Sequence, residues 1–205
     1  MKTALGFVAL SILSGVACDR PIEAKSVRHP DSTFSARRTI IDSILPPGEA
    51  LRRFQLPLTP VNRLSASIRS RDTLIARFIR AVESGDRAAL TKLVVSRDEY
   101  AFLYFPTSVY SRKPYELPPE IAWLLSDQGS RKGSTRLTRR LGGKPLGFRG
   151  YECGNPLTES KNRFWRGCRV TYIDPARGVP VTKALFGAIM ERDGRYKFLS
   201  YANDF

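Results

Sequence analysis

The apolar pattern of this chain changes period at Gly142-Gly143. Upstream, from about Ser70, apolar residues recur at helical spacing; downstream come runs rich in aromatic and β-branched residues. A chain that places helices first and strands second is confined to the α+β class, with an antiparallel sheet after the helices. "SRDTLIARFIRAVESGD" sets Leu74, Ile75, Phe78, Ile79 and Val82 on one helical face, with Asp72 near the start and Gly85 as the stop. Asp86 caps a second short helix through Leu93. "SRDEYAFLYFP" opens with the Ser96-x-x-Glu99 capping box and ends at Pro106, which predicts a third helix over 97–104. Residues 117–143 form a long helix that begins with prolines, with Gly129 and Gly133 as candidate interruptions.

After Gly143, "LGFRGYEC", "FWRGCRVTYI", "VTKALFGAIMER" and "RYKFLSYA" predict four antiparallel strands, the last two joined by a hairpin at Asp193-Gly194. Upstream of residue 70, the segment 39–69 carries "TIIDSIL" and the helix candidate "PPGEALRRF", where Leu51 and Phe54 share a face. It reads as an arm packed on the main domain, 70–205, with a docking peptide as the alternative.

The N-terminus constrains the compartment. Lys2 precedes an apolar stretch, Ala4 to Ala17, that Asp19-Arg20-Pro21 ends abruptly. That is the build of a secretory signal, and the stretch falls short of the roughly 20 residues that a spanning helix needs. Val16-Ala17-Cys18, with Leu13 nearby, resembles a bacterial lipoprotein signal, in which the cysteine receives diacylglycerol before cleavage; Gly15 stands where that pattern usually has Leu. Gly15-Val16-Ala17 also fits an ordinary cleavage site that would leave Cys18 unmodified. The expectation is a signal over 1–17, a lipidated Cys18 and a polar tether over 18–38 that reaches on the order of 20 Å as a flexible coil. Such a protein would be exported and membrane-anchored on the extracytoplasmic side, in the periplasm or at the cell surface.

Three cysteines are an odd count, and a lipid on Cys18 leaves Cys153 and Cys168 as one pair. In an exported chain a single pair reads as a disulfide. Direct pairing sets a register in which Tyr151 faces Val170 and Arg149 faces Tyr172.

The order of elements, with "FIRAVESGDRAALTKL" as a helix, a Gly-Asp break and a second short helix, resembles the nuclear-transport-factor-2-like, or ketosteroid-isomerase-like, α+β cone over residues 70–205. The resemblance implies a curved sheet wrapped around the long helices, with an apolar cavity at its open end where related enzymes use an acid or base such as Asp together with Tyr donors. No catalytic residue of that superfamily can be matched to a position here.

The chemical inventory is sparse. His29, the only histidine, falls in the tether, which argues against Ser-His-Asp and Cys-His sites and, with so few cysteines, against a metal site. There is no Gly-x-Ser-x-Gly elbow, and "GSRKGST" lacks the Gly-Lys-Ser/Thr ending of a phosphate loop. No cofactor is implied. Asp98 and Glu99 are adjacent carboxylates, with Glu99 explained by capping. Tyr100, Tyr104, Trp123, Phe186, Tyr196 and Phe198 could line a cavity or be ordinary core.

The chain carries 34 basic and 19 acidic residues, a net charge of +15. Seven of the basic ones, Arg131, Lys132, Arg136, Arg139, Arg140, Lys144 and Arg149, fall between Gln128 and Tyr151 with no acidic residue among them. On a helix, Lys132, Arg136, Arg139 and Arg140 occupy neighbouring turns and concentrate a field that suits an anion. For an anchored domain the candidate partners are anionic lipid head groups or an envelope polymer, while nucleic acid has no recognition motif here and is set aside by export. The expectation is a noncatalytic cell-envelope lipoprotein whose α+β domain binds a ligand or partner, with a ketosteroid-isomerase-like pocket enzyme or small-molecule binder as the alternative.

Overall fold

The computed structural model describes residues 45–65 and 68–205; the signal, Cys18, the tether with His29, and most of "TIIDSIL" lie outside them. The helices begin where their caps are. α1 (Pro47–Gln55) has proline in its first turn, α2 (Arg71–Glu83) is capped by Ser70 Oγ accepting from Thr73 N–H, and α3 (Arg87–Leu93) by the Asp86 carboxylate accepting from Ala89 N–H. α4 (Arg97–Glu99) carries the full capping box of Ser96 and Glu99.

The predicted third helix does not stay α-helical. After Glu99 it widens into a π-turn over Tyr100–Tyr104 and then two 3₁₀ turns, Phe105–Thr107 and Val109–Ser111. Pro106 is the reason. The Ala101 carbonyl would take its π-helical bond from residue 106, which has no N–H, and Gln55 Nε2 donates to it instead at 2.8 Å. Asn162 Nδ2 likewise donates to the Leu103 carbonyl at 2.7 Å. The long helix α5 (Pro119–Leu141) is unbroken by its glycines. At Gly133 a Cβ would collide with the Tyr201 carbonyl, so glycine lets the C-terminal segment lie directly against the helix, whereas a Cβ at Gly129 meets open space.

The strands depart furthest from expectation. Two antiparallel sheets replace a single one of about four strands: three strands in the order β1-β4-β5 and four in the order β2-β3-β6-β7. β1 is Gly150–Glu152, β2 Leu157–Glu159, β3 Asn162–Trp165, β4 Arg169–Ile173, β5 Pro180–Lys183, β6 Ile189–Arg192 and β7 Arg195–Phe198. "FWRGCRVTYI" breaks at Gly167, in left-handed backbone at φ 63°, so that β3 and β4 enter different sheets. "VTKALFGAIMER" also breaks, around Gly187, so that β5 and β6 enter different sheets, and the turn-rich "GNPLTESKNR" contributes the edge strand β2. Asp193 and Gly194, both at positive φ, make the predicted hairpin between β6 and β7. The Cys153–Cys168 disulfide is formed, with an S–S distance of 2.05 Å, and Tyr151 faces Val170 as its register requires.

The four-stranded sheet is covered on both faces, which explains its adjacent buried pairs Phe164-Trp165 and Ile189-Met190. Trp165, Ile189 and Phe198 join a core with α2, α3 and the C-terminal half of α5. Phe164 and Met190 join a second core with Tyr100, Leu103 and Tyr104, which Phe54 and Leu64 of the 39–69 segment complete.

Candidate functional site

A cleft of about 360 Å³ opens between the π-turn, the first half of α5 and the chain leaving β7. Tyr100, Tyr104 and Tyr110 form one wall, Ala122, Leu125 and Gly129 the other, and Ser126, Leu199, Ser200 and Ala202 line it too. The local sequence builds it. α5 turns small residues inward at Ala122, Ser126, Ser130 and Gly133, which keeps the helix close to the C-terminal segment and leaves room beside Gly129. Its size falls within the range of small-molecule sites.

The chemistry of the cleft lies in two tyrosines. Tyr100 and Tyr104 are almost wholly buried, in ring contact with centroids 5.2 Å apart, and neither hydroxyl has a hydrogen-bond partner among the described residues. The side chains are buried but the two hydroxyls open onto the cleft, where a ligand or water can bond to them. Burial raises both phenols, first of all by desolvating the phenolate; Tyr104 is pushed up to about 12 and Tyr100 higher. Both are therefore neutral donors at physiological pH. Among the described residues no carboxylate, lysine or arginine lines the cleft, so it offers hydrogen bonds and apolar surface rather than an acid-base pair.

The six aromatics singled out in the sequence do not form one site. Trp123 packs edge-on against Tyr100, with centroids 5.1 Å apart, behind the cleft wall. Phe186 and Phe198 belong to the other core, around Phe78 and Tyr201. Tyr196 packs against Trp165. Sequence reasoning missed Tyr110, Leu125, Leu199, Ser200 and Ala202. The available signal was Ile121, Leu124 and Leu125, three large apolar residues on turns of the helix whose buried side is Ala122 and Ser130.

The basic run divides as well. Lys132, Arg136, Arg139 and Arg140 do lie on successive turns of α5, but Arg131 pairs with Asp127, one residue outside the acid-free window, at 2.7 Å. Arg140 lies 5.2 Å over the Phe205 ring, which Lys183 also approaches at 4.8 Å. Lys144 and Arg149 are exposed beyond the helix, on the way into β1. Asp98 is half-buried, while Glu99 is buried and salt-bridged to Lys197 at 2.8 Å.

A second groove, of about 600 Å³, runs between α2 and β1. Three of its polar side chains already have partners: Tyr151 donates to Asp72 at 2.7 Å and Glu83 accepts from Leu146 N–H at 2.8 Å. Burial, then the Asp72 bond, pushes Tyr151 up to about 12. Among the described residues no group of three His, Cys, Asp or Glu could hold a metal ion, and no helix is long and apolar enough to cross a membrane. No protein-family model matches the chain, and comparison with curated proteins and with solved structures finds no significant match.

Proposed function

We propose that this chain is a noncatalytic, exported lipoprotein whose α+β domain binds a small apolar molecule bearing one hydrogen-bonding group, such as a carbonyl or hydroxyl. The observation that carries the binding role is the pair of Tyr100 and Tyr104 hydroxyls, without a hydrogen-bond partner among the described residues, that open onto an otherwise apolar cleft. Export, the lipid on Cys18 and the 18–38 tether rest on the residues of the N-terminus. The ketosteroid-isomerase-like cone belongs to this proposal as a fold relationship, supported by the order of α2, α3, the long α5 and then antiparallel strands. Tyrosine donors suit that relationship. The lack of a carboxylate along the cleft favours binding over isomerase chemistry.

The test is a titration of the full chain with a naphthyl ketone fluorophore, whose carbonyl can accept from a tyrosine and whose emission reports polarity. Ser126→Leu, which places bulk in the cleft at a residue that makes no side-chain bond, should abolish binding. Tyr100→Phe should weaken it about fivefold, one neutral hydrogen bond of about 1 kcal/mol. Undiminished binding by Ser126→Leu would remove the cleft as the site.

A further inference from the structure

The outward side of α5 is an unusual surface. At about 100° per residue, Ile121, Leu124, Leu125, Lys132, Arg136 and Arg139 fall within an arc of about 120°. The first three are large apolar side chains left 47%, 47% and 60% exposed. The last three are basic, with Lys132 and Arg139 exposed and unpaired among the described residues and the buried Nε of Arg136 without a partner. Both acidic residues of the helix, Glu120 and Asp127, lie off this arc. One stripe is thus apolar over its first turns and cationic over its last, along about 27 Å at 1.5 Å per residue.

We infer that this stripe is a docking surface for an anionic lipid bilayer. A bilayer presents two layers of opposite character within a few ångströms, an anionic head-group plane above hydrocarbon, and a helix lying nearly flat on it can meet both. The Ile121-Leu124-Leu125 end enters the acyl boundary, while Lys132, Arg136 and Arg139 stay among the head groups. Tyr110 and Tyr115 flank the apolar end, 41% and 57% exposed with ring centroids 5.8 Å apart. Aromatic rings with one polar end favour the head-group level. The single sign of the charge selects this occupant: a neutral protein partner would leave three cations unanswered, and a soluble polyanion would leave the apolar end uncovered. Docked in this way, the Tyr100–Tyr104 cleft, with Leu125 in its wall, opens at the bilayer surface. The inference stands on α5 and does not depend on what the cleft binds.

The experiment uses the full chain with Cys18→Ser, so that an introduced cysteine carries the label. An environment-sensitive dye on Leu124→Cys is compared with one on Val179→Cys, an equally exposed apolar position off the helix. With phosphatidylglycerol vesicles the dye at 124 should shift to the blue and be quenched by brominated acyl chains, and the dye at 179 should not. Phosphatidylcholine vesicles should give little change at either position. Lys132→Gln with Arg139→Gln should weaken the response about 30-fold, the equivalent of about 1 kcal/mol for each charge at an anionic surface. Equal quenching at 124 and 179, an equal response to neutral vesicles, or a blue shift with soluble polyphosphate alone would overturn the bilayer. A blue shift that grows with protein concentration in the absence of vesicles would assign the stripe to a second copy instead.

Discussion

Lys197 lies on a strand face otherwise built from Phe164 and Met190, where an ammonium needs a partner to be buried at all. Glu99 supplies it at 2.8 Å, with Ser65 Oγ and the Val94 carbonyl completing the shell. The same carboxylate accepts from the Ser96 and Ser65 N–H groups, so one side chain caps α4, neutralises β7 and ties down the segment before α2. Desolvation is the largest influence on Glu99 and raises its pKa. Lys197 and the two backbone donors together outweigh it and hold the carboxyl below its ordinary 4.5. A lowered folded-state value contributes stability that is fully present above the unfolded value and is lost as pH falls through the folded one. The urea midpoint of the wild type should therefore drop on the acid side of pH 4.5, and Glu99→Gln should flatten that drop; equal acid slopes in both would contradict the linkage. Lys197→Met strands the carboxylate and should cost about 3–5 kcal/mol, part of which Glu99→Gln in the same chain should restore.

Two glycines one turn apart on α5 separate propensity from packing. Gly129→Ala adds a methyl in open space and should stabilise by about 0.5–1 kcal/mol through helix propensity. Gly133→Ala drives a methyl into the Tyr201 carbonyl and should destabilise by about 1–3 kcal/mol, and thermal melts of the two variants should move in opposite directions. Reducing Cys153–Cys168, which closes a loop of 15 residues, should cost about 3 kcal/mol in the chain-entropy account, with both thiols unreactive in the denatured protein until reductant is added. Elements with local signals were legible in the sequence: the caps at Asp86 and Ser96, the Gly142-Gly143 stop and the Asp193-Gly194 turn depend on neighbours only. The seven strands were not, because two of the four long aromatic runs are each shared between two sheets and a glycine bend looks alike within a strand or between sheets. Phe164-Trp165 and Ile189-Met190 did carry the clue, since adjacent apolar residues in a strand imply two covered faces. The cleft was half legible for the same reason: composition put Tyr100 and Tyr104 among the candidates, but their separation from Phe186 and Phe198 depends on which face of the sheet each one meets.

Across the whole molecule, the excess of positive charge becomes functional only if something holds the domain beside an anion, and the N-terminal residues supply a proposed means. The proposed tether over 18–38, with a reach on the order of 20 Å as a flexible coil, would raise the local concentration of the α5 stripe at the membrane, so that a weak contact would be occupied most of the time. Anchor and dock answer to different physics. A diacylglyceryl group gains about 0.8 kcal/mol per buried CH₂ and is indifferent to salt, while contacts from Lys132 and Arg139 are screened over about 8 Å at physiological ionic strength and about 3 Å in molar salt. The mature chain should thus start at Cys18 and weigh more than its polypeptide by the lipid, as intact mass spectrometry would read. Membranes washed in molar salt should keep the protein, while a dye on Leu124→Cys in the same sample should lose its quenching by brominated lipid. An unmodified Cys18, or release of the whole protein by the wash, would remove the anchor. Quenching that persists through the wash would show that charge has no part in holding α5 to the bilayer.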